Sequence, residues 1–262
     1  MKVLRIQFKN NKGEALSARM TMPANGQPQY FAIIAHCFTC NKNFNSVRNI
    51  SNALTASGFG VFSFDYTGLG NSKGNFADTN FSTNVEDVLA AAAYLKEKFS
   101  APKLMVGHSF GGPAAIYAAA ALESVMAVAT LAAPSEIKHI KHLLESEMET
   151  IKKEGIAKLI LGGNPITIKE QFLEDLSKHD LPEVVRNLRK PILIMHSPTD
   201  NTVSIDHAEN LYMEAKHPKS FVSLAGADHL LNNKKDATYA GEVIAAWVKN
   251  YLPGEIKNKN IK

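Results

Sequence analysis

Residues 103–112 read KLMVGHSFGG, and this stretch decides the architecture. Its first half is a short apolar run. Its second half, Gly107 to Gly112, leads into the Ala-rich segment PAAIYAAAAL, whose composition favours a helix. A strand that breaks at a serine and restarts as a helix is the nucleophile-elbow pattern. Small residues flanking the serine let the chain turn sharply enough to hold its hydroxyl above the sheet edge. G-x-S-x-G arises by chance in roughly one chain of this length in ten. Its position between a predicted strand and a predicted helix gives it weight, and it makes Ser109 the candidate nucleophile.

Outward from this turn, residues 30–35, 60–64, 126–131, 191–195 and 220–224 are apolar runs of the kind found in strands buried on both faces. Residues 3–8 and 16–22 alternate in polarity and, joined through Asn10, Asn11 and Gly13, read as an antiparallel pair. Helical spacing of apolar residues recurs at 47–57, 84–99, 112–122, 205–215 and 237–251. The alternation predicts one α/β domain over residues 1–262, with a mostly parallel, doubly wound, eight-stranded sheet. In such sheets chemistry lies just beyond the carboxyl ends of the strands. Residues 135–188 separate two core strands by more than a crossover needs and predict a small cap. Within it, 137–153 and 170–179 read as helical, and 158–168 as a hairpin turning at Gly162, Gly163, Asn164 and Pro165.

Composition narrows the function. With 45% hydrophobic and 21% charged residues, the 262-residue chain can bury a full core. The net charge of +4 comes from scattered Lys and Arg, with a small excess in the tail Gly254 to Lys262. Without clustered charge and aromatic platforms, no nucleic-acid partner is expected. The N-terminus is polar by Lys9 and lacks a secretory h-region, so a cytoplasmic location is expected. The most lipid-like stretch, 113–133, contains Glu123 and reads as helix then strand, so no membrane span is expected. A homodimer is left open. Cys37 and Cys40 form a CxxC, but no second CxxC or metal-ligand cluster accompanies them, and they read as loop thiols.

A serine hydroxyl needs a base, and the base needs an acid that holds its tautomer. After strand 191–195 comes HSPTD, placing Asp200 in a strand-end loop. After strand 220–224 comes AGADH, placing His229 in the next. The order Ser109, Asp200, His229 is that of the elbow-bearing hydrolases. Asp228 is expected to shape its loop, and His108 to pack beside the nucleophile. His139 and His142 are expected on a solvated helix face, and His179, His207 and His217 at the surface or at element ends. An acyl-transfer site also needs donors for the developing oxyanion. The backbone N–H of Phe110, just after the nucleophile, and that of Phe38, in the loop after strand 30–35, are the candidates.

The segments HCFTC, FDYTGLGNSKG, GHSFGG, HSPTD and GADH, in that order, resemble the α/β-hydrolase superfamily over nearly the whole chain. The similarity is greatest to the hydrolase region of bacterial proteins that fuse this fold to an osmotically inducible protein C (OsmC)-type peroxide reductase. It is more distant to cinnamoyl and feruloyl esterases. Many superfamily members carry His-Gly where this chain has His36 and Cys37. One terminal helix is expected before Lys262, with no room for the reductase domain, so the peroxide chemistry of such fusions is not expected here.

The expectation is a serine hydrolase that cleaves small carboxylic esters through an acyl-enzyme, with no cofactor and no metal. A thioesterase, peptidase or perhydrolase would use the same groups. A non-catalytic binding protein and a thiol redox protein are the alternatives from other classes. The cap residues Leu143, Leu144, Met148, Leu159, Leu161 and Phe172 are candidates to line the acyl or alcohol pocket.

Overall fold

The computed structural model describes residues 1–161 and 164–254. The strands are β1 (Lys2–Lys9), β2 (Ala15–Met22), β3 (Tyr30–Ala35), β4 (Phe59–Phe64), β5 (Leu104–His108), β6 (Ala127–Leu131), β7 (Ile156–Leu161), β8 (Asn164–Lys169), β9 (Ile192–His196) and β10 (Lys219–Ser223). Eight of them form one sheet in the order β1-β2-β4-β3-β5-β6-β9-β10. The first two pairings are antiparallel and the other five parallel. β5 lies centrally, so the turn that follows it emerges in the middle of the carboxyl-end edge.

The helices are α1 (Asn45–Ala56), α2 (Phe81–Lys98), α3 (Gly111–Ala121), α4 (Met148–Glu154), α5 (Glu170–Leu176), α6 (Leu181–Asn187), α7 (Ile205–Glu214) and α8 (Lys234–Val248). Alternate strand residues feed two cores. Ile33, Phe62, Met105, Val128 and Ile194 pack on one face, where α2 and α3 lie. Ile34, Val61, Val106, Ala129 and Leu193 pack on the other, against α1 and α8. This two-sided burial is why the central strands read as continuous apolar runs. The α2 helix starts three residues before the predicted 84, because Asn80 and Thr83 form a reciprocal capping box.

Between β6 and β9 the chain departs most from expectation. Residues 137–153 are not one α-helix: Ile137–Glu147 winds in 3-10 turns and only Met148–Glu154 is α-helical. The His142 Nδ1–H donates to the His139 carbonyl three residues back, a local bond that competes with regular α-helical pairing. β7 and β8 form the antiparallel hairpin. Of its predicted turn, Gly162 and Gly163 lie outside the described residues, while Asn164 and Pro165 begin β8. The basic tail, residues 255–262, also lies outside them. α6 was not expected: Asp180 caps it and Pro182 stands in its first turn. No helix among the described residues is long and apolar enough to cross a membrane.

The closest helix packing on the second face is that of α8 on α1. A Cβ at Gly241 would fall 2.7 Å from the Ala53 Cβ and 3.0 Å from the Ile50 carbonyl oxygen. Gly241→Val is expected to destabilise the fold by about 2 kcal/mol or more through overpacking, despite the better helix propensity of valine. Urea denaturation checks this; an unchanged midpoint would show that the two helices can separate freely.

Candidate active site

Between β5 and α3 the backbone has almost no clearance. A Cβ at Gly107 would lie 2.4 Å from the Gly111 carbonyl oxygen, and one at Gly111 2.3 Å from that of Ala35. Ser109, between them, adopts φ +52°, a left-handed conformation that is uncommon for a residue with a side chain. Its N–H donates to the Leu131 carbonyl at 2.8 Å, and its own carbonyl accepts the Gly112 N–H at 2.8 Å. The hydroxyl is thereby held above the sheet edge.

The loops after β9 and β10 bring Asp200 and His229 to the same place. The His229 Nδ1 lies 2.8 Å from Asp200 Oδ2, and its Nε2 lies 3.0 Å from Ser109 Oγ. A carboxylate can only accept, so Nδ1 carries the proton and Nε2 accepts from the serine hydroxyl. The other Asp200 oxygen accepts the backbone N–H groups of Thr202 (2.8 Å) and Val203 (3.0 Å). Burial works to raise the Asp200 carboxyl, but the bonds from His229, Val203 and Thr202 outweigh it and hold it below the ordinary carboxylate range. The structure thus assembles the predicted Ser109, Asp200 and His229 in one hydrogen-bonded line.

Residues the sequence left in minor positions support that line. The His108 Nε2–H donates to the His229 carbonyl at 2.7 Å and steadies the loop that carries His229. Asp228 accepts the Asn232 N–H at 3.1 Å, closing the following turn. His139, expected on a solvated face, is half-buried and belongs to a chain of neutral donors and acceptors. The Ser135 N–H donates to His207 Nδ1 (3.2 Å), His207 Nε2–H to His139 Nδ1 (3.1 Å), and His139 Nε2–H to the Thr202 carbonyl (3.3 Å). His207 is likewise tied into the site rather than free at the surface. His179, just past the end of α5, is wedged between Phe81 and Tyr117 with its Nε2 3.0 Å from Ser82 Oγ, and it is not part of the cavity lining. Residue spacing does not mark the His139 and His207 contacts, because they join elements distant in sequence.

Cys37 and Cys40, read as loop thiols, are instead joined by a disulfide. The Cys40 N–H donates to the Cys37 carbonyl at 3.2 Å, closing a turn that brings the two Cα atoms within 5.2 Å. The bridge brackets Phe38. Neither the Phe38 nor the Phe110 N–H has an acceptor among the described residues.

A cavity of about 360 Å³ opens beside Ser109 and His229. Phe38, Phe110, Ile140, Leu143, Leu161 and Val203 are among its apolar lining, and Thr39, Asn41, His139 and His142 among its polar groups. Of the six cap residues expected there, only Leu143 and Leu161 line it. Leu144 and Phe172 are turned into the core, Phe172 with its ring 5.4 Å from that of Phe38, and Met148 and Leu159 pack against that core. Leu143 and Leu144 are consecutive on the 3-10 segment and point in different directions, so one faces the cavity and the other the core.

A mixed eight-stranded sheet with a strained serine turn after its central strand and helices on both faces defines an α/β hydrolase. Residues 29–159, half of the chain, match the sequence profile of the hydrolase family described as serine aminopeptidase, S33, and the chain belongs to that family. It is 43% identical to the crystal structure of the esterase domain of a Rhodothermus marinus protein, which covers 96% of this chain and 99% of that one at a TM-score of 0.79. The fold is also shared with Est1E from Butyrivibrio proteoclasticus, solved with ferulic acid bound (21% identity, 92% and 98% coverage, TM-score 0.78). Among curated proteins it is similar to the uncharacterized protein YfhR of Escherichia coli O157:H7, 21% identical over 199 residues, or 76% of this chain. The chain spans 63% of the length of that relative.

Burial lowers the imidazole pKa of His36, His108, His139, His196 and His207, and that of His108 is pushed down to about 4 from the ordinary 6.5. For a histidine depressed in the folded state, the unfolded chain takes up its proton first. The stability contributed is therefore complete above pH 6.5 and is lost as pH falls toward 4. For His108 alone the difference corresponds to about 3 kcal/mol. His108→Gln, which keeps a donor for the His229 carbonyl but does not titrate, is expected to lose less stability than wild type between pH 7 and 4.5. Parallel urea midpoints for the two proteins across that range would contradict it.

Proposed function

We propose that this chain is a carboxylesterase that hydrolyses small esters through an acyl-enzyme on Ser109. The observation that carries the proposal is the line Asp200, His229, Ser109 opening directly into a largely apolar cavity. His229 Nε2 takes the hydroxyl proton as Ser109 Oγ attacks the ester carbonyl. The ionised Asp200 stabilises the imidazolium through Nδ1–H, and the N–H groups of Phe38 and Phe110 receive the oxyanion. The imidazolium then returns its proton to the leaving alcohol. Water, deprotonated by His229, attacks the acyl-enzyme in the second half, and Ser109 leaves with the proton.

The cavity favours an ester over an aminopeptide substrate. An aminopeptidase must hold a free ammonium group, which calls for a carboxylate, and no Asp or Glu stands among the described residues of the lining. The Rhodothermus marinus relative, described as an esterase domain, supports the same choice.

Ser109→Ala is expected to lower p-nitrophenyl ester turnover by several orders of magnitude, on the order of 10⁴-fold or more, with the fold intact. Near wild-type turnover in that variant would remove the basis of the proposal. Chain-length preference separates lining from core residues. Leu143→Ala and Leu161→Ala are expected to change the ratio of kcat/KM for octanoate and acetate esters by about threefold or more. Leu144→Ala is expected to lower Tm and leave that ratio alone, because its side chain packs the core. Identical ratios in all three would show that the insertion does not set specificity.

A further inference from the structure

We infer that Lys42 is a positioning residue of the loop that carries the Phe38 N–H, acting through a buried ion pair with Asp65. The inference rests on the reading above, in which that N–H receives the oxyanion.

The loop leaves β3 after Ala35 and enters α1 at Asn45. Its first residue is fixed by the sheet and by the His36 Nδ1–H, which donates to the Cys37 carbonyl at 2.8 Å. Its middle is closed by the disulfide. Its far end is held at Lys42, whose backbone N–H donates to Asp65 Oδ1 at 2.7 Å and whose ammonium Nζ donates to Asp65 Oδ2. Main chain and side chain of one residue therefore grip the two oxygens of one carboxylate, which fixes the orientation of residue 42 as well as its place.

Asp65 is itself immobilised. It is fully buried immediately after β4, its N–H donates to the Ser17 carbonyl at 2.9 Å, and its carbonyl accepts the Ser72 hydroxyl at 2.6 Å. The Asn71 N–H donates to its Oδ2 at 2.9 Å. At Gly70, φ +54°, a Cβ would fall 2.3 Å from that same oxygen, so the chain is wrapped onto the carboxylate without slack.

A buried Lys–Asp pair is a costly way to fill space, because two charges must be desolvated and apolar side chains of similar volume often serve stability as well. What the pair adds here is direction. Only one residue lies between Lys42 and the disulfide-closed turn, so a shift at Lys42 is passed to Phe38 rather than absorbed by slack chain. Oxyanion donors must be held to a fraction of an ångström to be effective.

The test compares Lys42→Met, Lys42→Gln and wild type at 25 °C on p-nitrophenyl acetate, with inhibition by an aryl trifluoromethyl ketone. The adduct of that inhibitor with Ser109 carries an oxyanion in the place where the ester oxyanion would form. For Lys42→Met the expected result is a fall in kcat of about tenfold or more with KM changed by less than about threefold. Ki for the trifluoromethyl ketone should rise by about the same factor as kcat falls. Lys42→Gln, which retains a donor, should lie between Met and wild type. A purely structural role would lower Tm while leaving kcat and Ki within about twofold of wild type, and that result would overturn the inference. If Lys42→Met does not fold, Lys42→Gln decides by the same two measurements; if neither folds, the pair is a requirement of folding and the inference falls. Ser109→Ala, run alongside, separates the cases. Activity surviving in Ser109→Ala defeats the esterase reading itself, whereas a dead Ser109→Ala beside wild-type-like Lys42 variants defeats only the positioning role.

Discussion

The lack of space between the end of β5 and the start of α3 is the constraint on which the rest of the site depends. With Gly107, Gly111 and the β3 end in backbone contact, the chain has room to turn only if the residue between the glycines enters the left-handed region. A side chain there costs on the order of 1–3 kcal/mol. Two backbone bonds, from Ser109 N–H to Leu131 and from Gly112 N–H to Ser109, help to offset it. The same geometry lifts the serine hydroxyl from the sheet and leaves the next N–H, that of Phe110, at the mouth of the cavity. On the proposed reading, nucleophile and oxyanion donor are consequences of one steric fact.

Around this turn, the electrostatics single out one imidazole. His108, His196 and His229 all lie near Asp200 or Ser109, yet their partners differ. His108 and His196 donate to carbonyls, those of His229 and Val203, and burial lowers the pKa of both. His229 alone donates to the near-ideal acceptor, Asp200 Oδ2 at 2.8 Å, while His196 Nε2 stands 3.6 Å from that oxygen. A carbonyl dipole orients a neutral ring; an ionised carboxylate also stabilises a charged one. On the proposed mechanism, His229 is therefore marked as the base by its partner, not by proximity to the serine.

What could be read in advance follows from how local each signal is. Strands buried on both faces, the glycines around Ser109, and the strand-end positions of Asp200 and His229 are all written within a few residues of themselves. The structure brings those three side chains together and places six strands where apolar runs indicated them and two where polarity alternates. Features that arise between distant segments were not legible. The relay from Ser135 through His207 and His139 joins residues up to 72 positions apart. Of the cap residues assigned to the pocket, Leu144, Met148, Leu159 and Phe172 lie on four different elements, and packing on the core sets their direction. The Cys37–Cys40 spacing was plain, but whether two thiols that close in sequence also meet depends on the turn between them, which the Cys37 to Cys40 hydrogen bond sets.

The body and the insertion divide the work because they are fastened differently. Ser109, Asp200, His229 and the Phe38 loop all spring from the ends of strands locked side by side in one sheet, so their mutual distances change only if the sheet does. The insertion meets the body through α5 on α2, α6 on α3 and α7, the hairpin, and the bonds of Ser135 and His139 to His207 and Thr202. Its polar ties include Asn80 to Gln171, Ser82 to Asp175 and the ion pair of Lys169 with Asp78. Two of the three lie in the segment from Asn80 to Ser82 that opens α2, and the ion pair is exposed, where such contacts contribute little. Substitutions at Leu143 or Leu161 can therefore reshape the wall of the cavity, whereas His139 and Phe172, which meet Thr202 and Phe38, tie the insertion to the site as well.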